Sequence, residues 1–289
     1  MQSQQKHPRT GLTISFEFFP PNTYEGAEKL AITARELALL KPKFFSVTYG
    51  AGGSTQARTL KTVLDLRVAG YAAAPHISCI GSTQAGLRET LQQYKDNGIQ
   101  HVVALRGDLP SGTASASAGE FHYANELVAF IRKEFGSHFV IEVAAYPEYH
   151  PQAKSAQDDL NNFKRKVEAG ADSAITQYFY SADCYYHFIE QCEKMGITIP
   201  VVPGIMPIGR FSQLARFSDA CGAEIPRWIR KKLEGYGDDT DSIRAFGLDV
   251  VTRLCEDLLK AGAPGLHFYT MNQSALTAAI WRRLGIESR

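Results

Sequence analysis

The chain has 289 residues and a near-balanced charge, 31 Lys plus Arg against 30 Asp plus Glu, so no long-range field gathers nucleic acid or an anionic membrane surface. Its five cysteines form no CxxC pair, which argues against a disulfide framework or a structural zinc site and for a reducing, cytoplasmic setting. The amino terminus reads without the apolar stretch of a secretion signal, and no later segment approaches the ~20 apolar residues of a membrane span.

Residues 1–11 read as a flexible tail. From there, short runs rich in Val, Ile, Phe and Tyr alternate with helix-period segments, the pattern of βαβ units around a parallel sheet. The strand candidates are Leu12–Phe18, Lys43–Thr48, Ala72–Ser78, His101–Leu105, Phe139–Ala144, Ser173–Gln177, Thr198–Pro203 and Gly265–Tyr269. Helices are expected near 24–40, 56–69, 83–97, 123–135, 153–169, 182–195 and 210–220. The seventh connection then lengthens through a segment at 226–234 and a helix from about 240 to 260, before a final helix starting near Gln273. With no short repeat and no Pro-rich linker, eight strands of this kind predict an α/β fold, a single-domain (β/α)8 TIM barrel over residues 12–289.

Active sites of such barrels form at the carboxyl ends of the strands. There Glu17, Thr48, His76, Arg106, Asp108, Tyr146, His150, Gln177 and Tyr269 converge on one mouth. In strand one, alternation turns Leu12, Ile14, Phe16 and Phe18 to the helices and Thr13, Ser15 and Glu17 inward. An inward carboxyl group at a strand top, ringed by aromatics, is placed to act as a general acid. The alternative is a carboxylate paired with Arg or Lys in a barrel layer.

Asp108 follows Arg106 and Gly107 in a turn where backbone amides and a fixed anion can face a ligand, or where Asp only bonds its own backbone. Asp159, Asn162, Arg165 and Lys166 share one helix face, suited to ribose hydroxyls and a diphosphate or simply solvated. No GxGxxG, P-loop, HExxH or GxSxG pattern occurs, so a dinucleotide would bind outside the usual geometries and no catalytic metal is expected.

Taken together, ISFEFFPP, KPKFFSVTYGA, AAPHISCIG, HVVALRGDLP, VAAYPEYHPQAKS, ITQYFY, VPGIMPI and HFYTMN, in this order and each at a strand end, resemble methylenetetrahydrofolate reductases of the short bacterial type. The likeness runs from about Ser15 to Asn272. It implies noncovalent FAD at the barrel mouth, reduced by NADH or NADPH, and ping-pong reduction of 5,10-methylenetetrahydrofolate to 5-methyltetrahydrofolate for methionine synthesis. Relatives suggest a homo-oligomer.

By the same resemblance the flavin contacts fall on Thr48, His76, Arg106, Gly107, Asp108, Tyr123, Ala124, Ala144, Tyr146, His150, Asp159, Asn162, Arg165 and Lys166. Glu17 matches the catalytic acid that protonates folate N10, and Asp108 also contacts the pterin. Substrate contacts fall on Gln177, Gln213, Phe217, Tyr269 and Gln273. Phe217 either stacks on the p-aminobenzoyl ring or adenine, or is a core-facing helix residue. The family commonly has Arg where this chain has Gln273, and Gln lacks the charge for a folate glutamate tail. A flavin-free aldolase or hydrolase would need a pocket Lys or a set of metal ligands, which the strand ends do not offer. A protein that only stores flavin or folate would have no use for an inward Glu17.

Overall fold

The computed structural model describes residues 12–50, 55–107 and 119–286, so the expected tail at 1–11 lies outside the described residues. Alternation decides which way the first strand faces. β1 (Thr13–Phe18) turns Phe16 and Phe18 toward the helices, both fully buried, with the Phe45 ring 5.8 and 5.2 Å from theirs. Its Ser15 and Glu17 face the barrel interior, as the period of two requires.

The elements follow as α1 (Tyr24–Ala38), β2 (Phe44–Val47), α2 (Gln56–Val68), β3 (Ala73–Ser78), α3 (Gln84–Asp96), β4 (His101–Leu105), α4 (Ala124–Phe135), β5 (Val140–Ala145) and α5 (Ala156–Glu168). Then come β6 (Ser173–Thr176), α6 (Ala182–Lys194), β7 (Val201–Val202), β8 (Gly204–Ile205), α7 (Phe211–Cys221), α8 (Arg227–Tyr236), α9 (Thr240–Lys260), β9 (Gly265–Tyr269) and α10 (Ala275–Leu284). Several helices start where the chain supplies a side-chain acceptor. Thr23, Thr83, Ser155 and Asp239 accept from Gly26, Gly86, Asp158 and Ser242 N–H groups, each cap stabilising by about 1 kcal/mol.

The strands pair in parallel in the order β7-β6-β5-β4-β3-β2-β1-β9-β8, and because β7 and β8 adjoin in the chain the sheet curls round into the expected (β/α)8 barrel. One expectation changes. Of the strand expected at Thr198–Pro203 only Val201–Val202 forms, as β7 bonded to β6, and past Pro203 the unexpected β8 bonds to β9. Proline has no N–H for a ladder, although its carbonyl still accepts from His267 N at 3.0 Å. Nine strands thus fill the eight places of the barrel.

The main apolar core lies between sheet and helices. A smaller cluster of Phe44, Ala74, Val103 and Ile175 fills the barrel itself. Register carries this inner face around the sheet: His76 lies beside Val103, Val103 beside Glu142, and Glu142 beside Ser173. Among the described residues no helix is long and apolar enough to cross a membrane.

Candidate active site

Glu17 sits near the carboxyl end of β1 and is 9% exposed. Its Oε2 is 3.4 Å from His76 Nε2 and 3.6 Å from His267 Nε2. Both nitrogens are buried and neither completes a hydrogen bond. Among the described residues the ion-pair partners of Glu17 are these two histidines, so the alternative of an Arg or Lys partner does not apply. The other nitrogen of His267, Nδ1, pairs with Ser15 Oγ at 2.7 Å. Burial lowers the pKa of His76, against the opposing pull of Glu17 and with the help of His267, which favours neutral imidazole there.

Tyr269 closes this side of the mouth. Its hydroxyl donates to Thr176 O at 2.8 Å, its ring lies 5.2 Å from that of His267, and burial raises its pKa well above the usual phenol range. Gly204 makes the room: a Cβ there would stand 2.2 Å from Thr176 O and 2.7 Å from the Tyr269 ring.

After β4 the chain turns at Gly107, whose φ of +83° and closeness to Ser78 exclude a side chain. Ser78 Oγ donates to Arg106 O at 2.8 Å, and Arg106 Nη2 donates to Gln152 Oε1 at 2.6 Å. Asp108 lies outside the described residues.

The stripe expected on α5 is not one uniform face. Lys166 directs its ammonium inward onto Ala144 O, with the Phe163 and Tyr146 ring centroids 5.5 and 6.0 Å away. Burial pulls its pKa down to about 8, with Asp159 opposing. Asp159 is itself raised by burial and accepts His150 N at 3.1 Å. Arg165 stays exposed and donates to Asn162 Oδ1 at 2.5 Å. Tyr146 and His150 meet edge to face at 4.7 Å, so Tyr146, His150, Asp159 and Lys166 form one cluster. Thr48 is half-buried, whereas Tyr123, just before Ala124 at the start of α4, is exposed.

Gln177 follows β6 and lines a small recess with Tyr146, Glu148, Tyr178 and Cys221. Its Oε1 accepts Tyr178 N at 3.0 Å. On α7, Gln213 and Phe217 are half-buried; Phe217 packs against the core, and the Arg216 guanidinium lies 5.4 Å from its ring. Gln273 is exposed. His267 was not among the expected site residues. It stands two residues before Tyr269 on β9, so the period that marks Glu17 also marks it. Among the described residues no group of three His, Cys, Asp or Glu side chains is arranged to hold a metal ion.

The profile of the methylenetetrahydrofolate reductase family matches residues 2–285. A 5,10-methylenetetrahydrofolate reductase from Escherichia coli (strain K12) is 41% identical over 276 residues, covering 95% of this chain and 91% of that protein. A probable methylenetetrahydrofolate reductase (NADH) from Oryza sativa subsp. japonica is 37% identical over 98% of this chain and 50% of its own length. Among solved structures, a Clostridium thermocellum protein that binds two copies of 5-methyl-5,6,7,8-tetrahydrofolic acid superposes with a TM-score of 0.67 over 96% of each chain. At 16% identity that likeness concerns the fold alone.

Proposed function

The chain belongs to the methylenetetrahydrofolate reductase family, and from that premise we propose that it reduces 5,10-methylenetetrahydrofolate to 5-methyltetrahydrofolate with hydride drawn from NADH or NADPH by way of bound FAD. One observation carries the reading: Glu17 lies at the mouth of the barrel against two imidazole nitrogens that have no hydrogen-bond partner. A carboxyl group in that place suits proton delivery to a substrate above it. Its proton goes to folate N10 as the five-membered ring opens to an iminium, the electrophile that takes up hydride.

The residues present fit a flavin dinucleotide in two respects. His76 Nε2 is a buried polar atom without a partner at the mouth, and Lys166 is a half-buried cation whose charge an adjacent phosphate would favour. When bound, the flavin supplies two-electron hydride chemistry that no side chain provides. Arg165 and Lys166 hold diphosphate oxygens, Asp159 and Asn162 hold ribose hydroxyls, and Thr48, Arg106, Tyr146 and His150 border the ring system. Gln177 orients nicotinamide or pterin, and Gln213 and Phe217 take the rest of the folate. Both partners occupy one mouth in turn, giving ping-pong kinetics. The free thiols of Cys79, Cys184, Cys192, Cys221 and Cys255 accord with a reducing cytoplasm.

The test is the absorption spectrum of the purified protein, followed by stopped-flow mixing with each nicotinamide and then with methylenetetrahydrofolate. A yellow protein bleached by nicotinamide and recoloured by folate is expected. A colourless protein that cannot be reconstituted with FAD overturns the cofactor, and folate reduction only in a ternary complex overturns the alternation.

A further inference from the structure

The segment after β9 is held in an unusual way. Met271 and Asn272 adopt φ of 53° and 56°, left-handed backbone that Asn tolerates but that Met keeps only where its surroundings over-determine it. Those surroundings are mostly the top of β1. Thr270 Oγ1 donates to Glu17 O at 2.6 Å and accepts Asn272 N at 3.2 Å. The Asn272 side chain accepts Phe19 N at 2.8 Å through Oδ1 and donates to Phe19 O at 2.9 Å through Nδ2. Its own carbonyl accepts Thr33 Oγ1 on α1 at 3.3 Å.

These bonds fall just where the sheet has stopped. The β1 register ends at Glu17 beside Tyr269 on one flank and at Phe18 beside Val47 on the other. Past it, Phe19 has one donor and one acceptor and no strand opposite. A carboxamide carries the same pair of groups as a peptide unit, and both atoms of the Asn272 amide go to Phe19. Anchoring of α10 alone explains the bond to Thr33, but not two bonds to Phe19 just past β1.

We infer that Asn272, seconded by Thr270, is a positioning residue for the general acid: its amide adds one rung to the sheet and so holds the Glu17 carboxyl group between His76 and His267. The inference rests on the role proposed for Glu17. Reacting groups displaced by about 1 Å lose on the order of 10²-fold in rate, so a frayed strand end would be felt in proton delivery before it is felt elsewhere.

Asn272→Gly keeps the left-handed turn accessible and removes both bonds; Asn272→Asp keeps the turn and the acceptor but cannot donate to Phe19 O. Folate turnover is measured for both, for Glu17→Gln and for Asn272→Gly/Glu17→Gln, beside the nicotinamide half-reaction, the melting temperature and amide exchange at Phe19. In Asn272→Gly we expect folate kcat to fall at least tenfold, the nicotinamide half-reaction to stay within about threefold, and Phe19 exchange to rise. Asn272→Asp should fall between, and in the Glu17→Gln background Asn272→Gly should have no further effect. Equal slowing of both half-reactions in step with a lower melting temperature, or a full multiplicative effect in the double variant, overturns the inference. Normal folate reduction by Glu17→Gln overturns the acid role itself, an outcome visible without any Asn272 variant.

Discussion

Glu142 and Glu17 are both buried inside the barrel, 2% and 9% exposed, and both beside imidazole, but Glu17 lies near the carboxyl end of its strand and Glu142 in the amino-terminal half of its own. Glu142 turns toward the first residues of the flanking strands: its Oε1 is 2.9 Å from His101 Nε2 and its Oε2 accepts the Ser173 hydroxyl. Burial pushes its pKa up, but the hydrogen bond and charge of His101, with Ser173 and Lys43, outweigh that and hold the carboxyl group below its ordinary range. Glu17 has imidazole nitrogens at 3.4 and 3.6 Å and completes a hydrogen bond with neither. The same residue types therefore do opposite work. A closed network fixes the barrel floor, while an open one leaves bonding capacity for whatever enters the mouth.

The largest expected effect lies at the open end. In Glu17→Gln, reduction of methylenetetrahydrofolate should fall by ~10² to 10⁴, the usual contribution of a general acid, with the nicotinamide half-reaction kept within about tenfold in stopped flow. A normal folate rate would make the two ends alike, both structural. At the closed end, Glu142→Ala leaves the His101 and Ser173 groups without their acceptor and should cost about 1–3 kcal/mol in denaturant unfolding, with turnover per folded molecule unchanged. Because the folded pKa of Glu142 is depressed, its stabilisation is complete above the ordinary glutamate range and fades as pH falls through the folded value. Glu142→Ala should accordingly flatten the acid limb of the stability profile.

Smaller effects test how far the open region extends. Arg165→Glu with Lys166→Glu should release flavin on dilution, read by ultrafiltration and absorbance, and full retention would make that stripe a solvated surface. Gln273→Arg should lower the folate KM only severalfold, because an exposed ion pair contributes about 1 kcal/mol or less. An unchanged KM places the glutamate tail elsewhere.

Much of this contrast is written in the order of side chains. The inward setting of Glu17 follows from alternation with Phe16 and Phe18, which need no tertiary information to find the helix side. The partners of Glu17 do not follow, since His76 and His267 reach it only through barrel closure. Helix periodicity puts Arg165 and Lys166 near one another but is silent on which is covered, and the strand β5 beside α5 decides that by offering Ala144 O to Lys166 alone. The strand broken at Pro203 escaped a reading by apolar run, because ladder bonds belong to single N–H groups rather than to hydrophobicity.

That break gives the cylinder a seam. β7 and β8 each hold two register pairs with their neighbour, against five between β1 and β9, and the stitching is finished by Gly204 N on Thr176 Oγ1 at 2.9 Å and Tyr269 on Thr176 O. A closed wall breathes first along its most thinly bonded line. Deuterium should therefore enter the amides of Val201, Val202, Gly204 and Ile205 sooner than those of β4 or β5, and more slowly once a ligand fills the mouth. Gln177 and Tyr269 flank that line, so the wall is most pliant beside the residues proposed above to meet the incoming substrate.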